Sequence, residues 1–567
     1  MRAFDMSLIN FPLSKDSRWK PQKKVDTQPP NPKTATTKRD YVLLLTMLLA
    51  IVASVVSCFY FYQQGLITAF RDGEARLIIS RFVVDSNNQG VTNLAGNWPP
   101  SPHSEWVIFI WNDFLFHSGL AGAIPSMFWY MVSVFFLYKM IVRLTNDQWA
   151  GFVGVVAFSA VNLLYMQATP MSEVPFIGRV LMCGYFLTRW VQNTDKWYFL
   201  FLAGLAVCWA TLTRYESWGL LPIVLIIVVL TGLTNKFGWE KIHAYLHVIG
   251  PVAISGIVFW LGVNWVIFGD PFFFARSEFS AGQIAERTFN GLDPSLRTEG
   301  NLFLDAKILS RSSIDIIGLP VIVLALLGMI KLLFSKRTTP EKLVGLTLAY
   351  PIAFYLITMY VGFSTVIWHP DYFNGQNWGT RYLTLMLPAV GLFTGFLVAK
   401  HGIWLKLPIL TVLVASSVMT AQSGLLTVNE AKTYPQDPST AARNRLAVWL
   451  DSHYDRGLIL LFRVGNERVI FTSTVPLDKL VYEGSEPKFW HSALENPVEK
   501  HIDWIIMRSN LNGKPDLVWQ SLKDTDILAE NYYLAYTDEE VVVYKIIPGR
   551  DVKSQERLSS GKQQGTP

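Results

Sequence analysis

YVLLLTMLLAIVASVVSCFYFYQQGLITAF, residues 41–70, contains no charged residue. A helix crosses a bilayer core with about 20 apolar residues, so this stretch predicts a transmembrane helix. It is too long for the apolar core of a signal peptide, and no small-residue cleavage site is evident. Residues 1–40, which precede it, are polar and rich in Pro, Lys and Thr, with nine Lys/Arg against four Asp. They read as a disordered basic tail. A basic tail before the first span is what the positive-inside rule expects of a cytoplasmic N-terminus.

The rest of the chain repeats the pattern. Of 567 residues, 51% are hydrophobic and 16% charged, against about 25% charged in a typical soluble domain. An ordinary cytosolic enzyme and a disordered protein are both excluded. The net charge is +6, and the first 40 residues supply +5 of it, so nucleic-acid binding is a poor explanation. Cys58, Cys183 and Cys208 lie in apolar stretches and imply neither a disulfide framework nor a zinc site.

Further apolar runs fall at 120–142, 150–167, 173–190, 197–213, 217–234, 246–268, 313–333, 342–362, 382–399 and 405–423, giving about eleven spans. With the N-terminus inside, the inner connections carry Lys139, Arg143, Arg189, Lys196, Lys236, Lys241, Arg337 and Lys406 among other cations. That bias supports the topology and leaves the C-terminal segment outside. Residues 71–119 then form a long first outer loop, with a helical pattern running from Asp72 through 80–87. An amphipathic helix is expected over 105–118, lying in the interface. Outer loops also cover 269–312 and 363–381.

Composition changes near residue 430. Residues 441–550 alternate β-like runs (LILLF, RVIFTS, KLVYE, WIIMRS, EVVVYKII) with helical stretches. The expected organisation is a polytopic α-helical membrane protein. Its transmembrane domain covers 41–425, a small extracytoplasmic α/β domain covers 430–550, and a polar tail covers 551–567. The membrane is the cell (plasma or inner) membrane.

Ionisable residues beside membrane-embedded surfaces are costly and are functional candidates by default. Asp72, Glu74, Glu173, Arg214, Glu216, Asp371 and Arg381 all fall at outer span ends or in outer loops. A shared outer cavity explains that sidedness; span-end charges in water are the plainer account. Asp72 and Glu74 open a helix, where carboxylates meet unpaired N–H groups, and either could also face a cavity as a general base. His103, in GNWPPSPHSE (96–105), could bind phosphate or shuttle a proton, or be structural. Arg214, in TRYES (213–217), needs an anion: Glu216, Glu173 or a ligand phosphate. Arg381 and Tyr382 open the tenth span, and Arg381 could neutralise a phosphate leaving group. The chain has no Walker loop, HExxH, GxSxG or CxxC, and no cytoplasmic domain to hold a nucleotide sugar. An activated donor on the outer face would have to be lipid-linked.

Several short motifs share this order and sidedness. Asp72 is followed by Ser80-Arg81 and by Val83–Ser86; then come WPPSPH (98–103), TPMSE (169–173), TRYES (213–217), and Arg381-Tyr382 ahead of Pro388. In this the chain, over about residues 40–425, resembles the GT-C type integral membrane glycosyltransferases. The similar branch holds the protein O-mannosyltransferases and the lipid A aminoarabinose transferase. The resemblance implies a polyprenyl-phosphate sugar donor, a hydroxyl acceptor (protein, lipid or glycan), inversion at the sugar, and an aspartate base in the first loop, here Asp72. It implies that Arg381, with Arg214 or His103, stabilises the departing phosphate, and that Glu173 and Glu216 position the acceptor or pair with those arginines. Some relatives carry an Asp-Glu doublet where Gly73 separates Asp72 from Glu74, so either carboxylate could be the base. A divalent metal ion between Asp72 and Glu173 stays open. Two competing readings are a transporter or flippase of lipid-linked glycans and a non-catalytic receptor. The first predicts polar residues in mid-span and internal repeats, and no convincing repeat is present.

Overall fold

The computed structural model describes residues 40–550 except 291–292, 363–366, 434–437 and 511–513. The basic tail (all but Asp40) and the polar tail 551–567 lie outside the described residues. Every apolar run predicted to span is helical, but the count of full spans differs. Among the described residues six helices are long and apolar enough to cross a membrane, or up to eight if each of two bent pairs is one span. The others are short or charged: Gln148–Phe158 and Trp197–Thr211 have 11 and 15 residues, and Glu173–Gln192 carries Arg179 and Arg189.

The breaks have local causes. Gly318, at φ +93°, turns Leu302–Ile317 into Leu319–Leu333 through 104°; side chains disfavour that φ and glycine accepts it. The run at 313–333 is therefore bent near its start. Thr380–Val398 lies at the centre of the bundle, with 94% of its apolar window buried. It packs backbone to backbone: a Cβ on Gly391 would stand 2.7 Å from the Gly154 carbonyl oxygen. Small residues at such crossings let helices meet where lipid offers no hydrophobic drive.

The segment after the first span, 71–119, is also more broken than expected. The Asp72 helix runs Arg71–Phe82 and stops there, because the Asn93 side-chain amide donates to the Phe82, Asn88 and Gly90 carbonyls. The 105–118 region forms two pieces, Ser101–Ile110 and Asp113–His117, with Asn112 capping the second through Leu115 N–H.

The C-terminal part holds a mixed five-stranded sheet. Its strands are β1 Leu458–Leu460, β2 Leu480–Val481, β3 Ile502–Arg508, β4 Tyr532–Thr537 and β5 Val541–Ile546, in the order β2-β1-β3-β5-β4. β1 pairs parallel with β2 and β3, and β5 antiparallel with β3 and β4. Two expectations change. RVIFTS belongs to a helix, Glu467–Thr472, and the unpredicted YYLAYT is β4. Val469, Ile470 and Phe471 are all buried in succession, a pattern that periodicity alone cannot assign to strand or helix. Residues of the Asp72 helix (Leu77, Ile78, Phe82) and of the C-terminal part (Ile470, Phe471, Tyr482) share one hydrophobic cluster, with Phe82 stacked on Tyr482 at 4.5 Å. Burying each such side chain stabilises by roughly 1.5–3 kcal/mol.

Candidate active site

Five chain segments bring charged side chains to one end of the bundle. Asp72 lies in the first turn of Arg71–Phe82, and Glu173 is the first residue of Glu173–Gln192. Arg214 precedes the turn Tyr215–Gly219, and Arg381 lies in the turn Thr380–Met386. Glu430 comes from Leu426–Thr433. Both Asp72 and Glu173 thus face the positive end of a helix dipole.

Arg381 is the hub, with its side chain 3% exposed. Its Nη2 donates to Asp72 Oδ2 at 2.7 Å, its Nε donates to Glu173 Oε1 at 3.3 Å, and its Nη1 contacts Glu430. Glu430 is fixed in turn by the Arg381 N–H at 2.8 Å, the Gly379 N–H at 2.9 Å and the Thr380 hydroxyl at 3.0 Å. Arg214 donates to the same Glu173 oxygen at 2.8 Å, to Ser172 Oγ at 3.0 Å and to Glu216 at 2.6 Å. Tyr355 donates to Glu216 at 2.6 Å. Both guanidiniums lie over the Tyr382 ring, at 4.9 Å (Arg214) and 4.8 Å (Arg381). Among the described residues, the second Glu173 oxygen, also buried, has no hydrogen-bond partner.

Exposure separates the two carboxylates that open the Arg71–Phe82 helix. The Asp72 side chain is 28% exposed; that of Glu74 is 4% exposed. Glu74 points out of the cluster and pairs with Arg468, while Arg71 donates to Glu467 at 3.0 Å. Asp72 therefore sits between two crossed ion pairs that fasten its helix to the Glu467–Thr472 helix. Glu74 lies outside the spans, and its burial pushes the carboxyl up to about 7 against the pull of Arg468. A carboxyl whose folded pKa exceeds its unfolded one stabilises the fold below the unfolded value, and that contribution is lost as pH rises through the folded value. The melting temperature of wild type relative to Glu74→Gln should accordingly fall between about pH 4.5 and 7. The full effect is roughly 3 kcal/mol. Parallel melting curves across that range would contradict the assignment.

His103 is buried and, among the described residues, its ring reaches the network through Arg76, whose Nη1 is 3.4 Å from its Nε2. Burial and the Arg76 charge hold its imidazole well below the ordinary pKa, so it is neutral. Arg76 lies over Trp98 at 4.3 Å, and burial lowers its own pKa to about 10. It feels Asp72, Glu173, Arg214 and Arg381, and its Nε has no partner among the described residues.

The predicted residues Asp72, Glu173, Arg214, Glu216, Arg381 and Tyr382 are thus gathered in one network. Glu74 and His103 sit at its edges, and Asp371 is elsewhere, paired with Arg311 at 2.7 Å. Sequence reasoning missed Arg76, Glu430 and Tyr355. Arg76 had a signal, since it stands one helical turn from Asp72; Glu430 and Tyr355 had none. It also missed Arg179, a fully buried cation inside an apolar run, which pairs with Glu105 and stacks on Trp129 at 4.3 Å and on Trp209 at 4.8 Å. Arg381 bridges Asp72 and Glu173, so a divalent ion between those carboxylates would have to displace the guanidinium. Among the described residues no group of three or more His, Cys, Asp or Glu could hold a metal.

Residues 99–260 match the model of the dolichyl-phosphate-mannose-protein mannosyltransferase family. That range contains His103, Glu173, Arg214 and Glu216. Among solved structures the chain is similar to ArnT from Cupriavidus metallidurans bound to undecaprenyl phosphate. The TM-score is 0.54 at 14% identity, covering 90% of this chain and 99% of that one. The fold is that of a GT-C membrane glycosyltransferase. ArnT in the apo state gives a TM-score of 0.49 at 15% identity over 90% of this chain and 98% of that one. The Archaeoglobus fulgidus oligosaccharyltransferase in the apo form gives 0.47 at 8% identity over 82% and 70%. No curated protein matches the sequence significantly. The matching family is one of mannosyltransferases, and the chain is a multi-pass membrane protein.

Proposed function

We propose that this protein transfers a sugar from a polyprenyl-phosphate donor to a hydroxyl acceptor at the extracytoplasmic membrane face, with inversion. The observation that carries the reading is the Arg381 hub: one accessible carboxylate, Asp72, held at 2.7 Å from a buried guanidinium. An inverting displacement of a phosphate needs a base on the acceptor side of the anomeric carbon and cations toward the departing phosphate, and this site brings a carboxylate and several guanidiniums together.

In this reading Asp72 takes the proton of the acceptor hydroxyl as its oxygen bonds to the anomeric carbon. The bond from that carbon to the phosphate oxygen breaks, and polyprenyl phosphate leaves with the electron pair. Arg381, Arg214 and Arg76 interact electrostatically with one another, and together they share the departing charge. Glu173, Glu216 and Glu430 hold the arginines in place. Neutral His103 orients Arg76 through its ring nitrogen. Tyr382, under both guanidiniums, sets their planes.

The test offers purified full-length protein a panel of labelled polyprenyl-phosphate sugars and the matching nucleotide sugars, with a membrane extract as acceptor. Transfer from a lipid-linked donor alone is expected. Transfer from nucleotide sugars, or from no donor in the panel, would overturn the reading.

A further inference from the structure

At the end of the bundle away from Asp72, span ends line an open cavity of about 740 Å³. Among the described residues, its walls present Lys139, Arg143, Arg189 and Arg337 against a single carboxylate, Glu341. The Glu173–Gln192 helix joins the two ends of the molecule: Arg189 follows Glu173 by 16 residues, about 24 Å at 1.5 Å per residue.

The three guanidiniums are held by the walls. Arg189 Nη1 donates to Tyr185 Oη at 2.7 Å, and its guanidinium lies over Phe199 at 4.3 Å. Arg143 Nε donates to Gln192 Oε1 at 2.5 Å, and Gln192 Nε2 donates to Glu341 Oε1 at 2.7 Å. Arg337 Nη1 donates to that same oxygen at 3.1 Å. The other Glu341 oxygen accepts from the Thr338 N–H and hydroxyl in a capping box. Glu341 is thus committed to its own helix and to orienting Gln192 and Arg337.

We propose that this cavity binds the phosphate of an anionic lipid headgroup. A planar guanidinium matches phosphate oxygens in a fork that a lysine cannot offer, and three of them line one cavity. Its volume suits a small ligand. A lipid source follows from position. The cavity is lined where the Leu120–Thr145 and Glu173–Gln192 helices end, and a helix leaving the hydrocarbon core ends among lipid headgroups. Leu233 (51% exposed), Leu333 (40%) and Phe334 (85%) lie within a few residues along the chain of its Asn235 and Arg337 walls. Acyl chains can rest on that apolar surface while the phosphate sits among the arginines. Positive-inside bias alone scatters Lys and Arg over loops; it does not seat three guanidiniums on hydrogen-bonding partners around one space.

The test is native mass spectrometry of the full-length protein released from phosphatidylcholine bilayers containing phosphatidylglycerol. Wild type should retain phosphatidylglycerol preferentially, and Arg143→Gln/Arg337→Gln should reduce that retention by roughly tenfold or more. Arg143→Gln alone leaves the Glu341 bonds in place and keeps the test open if the double variant does not fold. Lys236→Gln/Lys241→Gln, which removes charge outside the cavity, should retain lipid like wild type. Equal retention by wild type and the cavity variants would overturn the proposal, as would equal loss in the control. Displacement of the lipid by millimolar inorganic phosphate would overturn the lipid assignment in favour of a soluble phosphate.

Discussion

Asp72→Asn is expected to lower kcat for sugar transfer by roughly 10²–10⁴-fold while leaving donor affinity close to wild type. The substitution keeps the shape of the side chain, and an amide oxygen still accepts from Arg381 Nη2, so the hub should persist. What is lost is the basic oxygen that takes the acceptor proton. Glu74→Gln is the matched control. Glu74 is buried and committed to Arg468, so its loss should change stability more than the chemical step. Steady-state and single-turnover transfer with a saturating lipid-linked donor separate binding from chemistry. If Asp72→Asn turned over at the wild-type rate, Asp72 would not be the base and the proposed mechanism would fail.

Arg381→Gln should be the most destabilising single change in the site. The guanidinium meets Asp72, Glu173 and Glu430, of which the last two side chains are 0% and 1% exposed. Removing one partner of a buried ion pair costs about 3–5 kcal/mol, because the other charge stays behind without compensation. A melting temperature well below wild type is expected. Adding Glu430→Gln should recover part of that loss and none of the transfer activity, because stability depends on charge balance whereas the leaving phosphate needs the cation. Arg381→Lys keeps the charge but cannot reach three carboxylates at once, so it should fold better than Arg381→Gln and still transfer poorly. An Arg381→Gln melting temperature equal to wild type would remove the hub from the account of the site.

Much of this was legible along the chain. Residues 41–70 announce a membrane protein because hydration of apolar side chains is additive and local. Asp72, Glu173, Arg214 and Arg381 were selected one by one, as costly charges at apolar borders, and all four meet in the structure. Local rules failed where the signal was itself ambiguous. RVIFTS has strand composition yet forms a helix, because it packs between two neighbours, the Asp72 helix (Leu77, Ile78) and the Pro438–His453 helix (Leu446, Leu450), which together cover three consecutive apolar side chains. The apolar run at 313–333 hid a 104° bend at Gly318, since hydropathy measures composition and not direction.

Sequence by itself determined the membrane character, the helical runs and the residue types able to handle a phosphate, all properties of side chains within a few turns of one another. Only the tertiary structure decided which of those residues act together. It joined Glu430 to Arg381 across 49 positions and Arg468 to Glu74 across 394. It also exposed Asp72 while burying its neighbour Glu74. Burial and charge pairing depend on distance in space, and distance along the chain does not fix it.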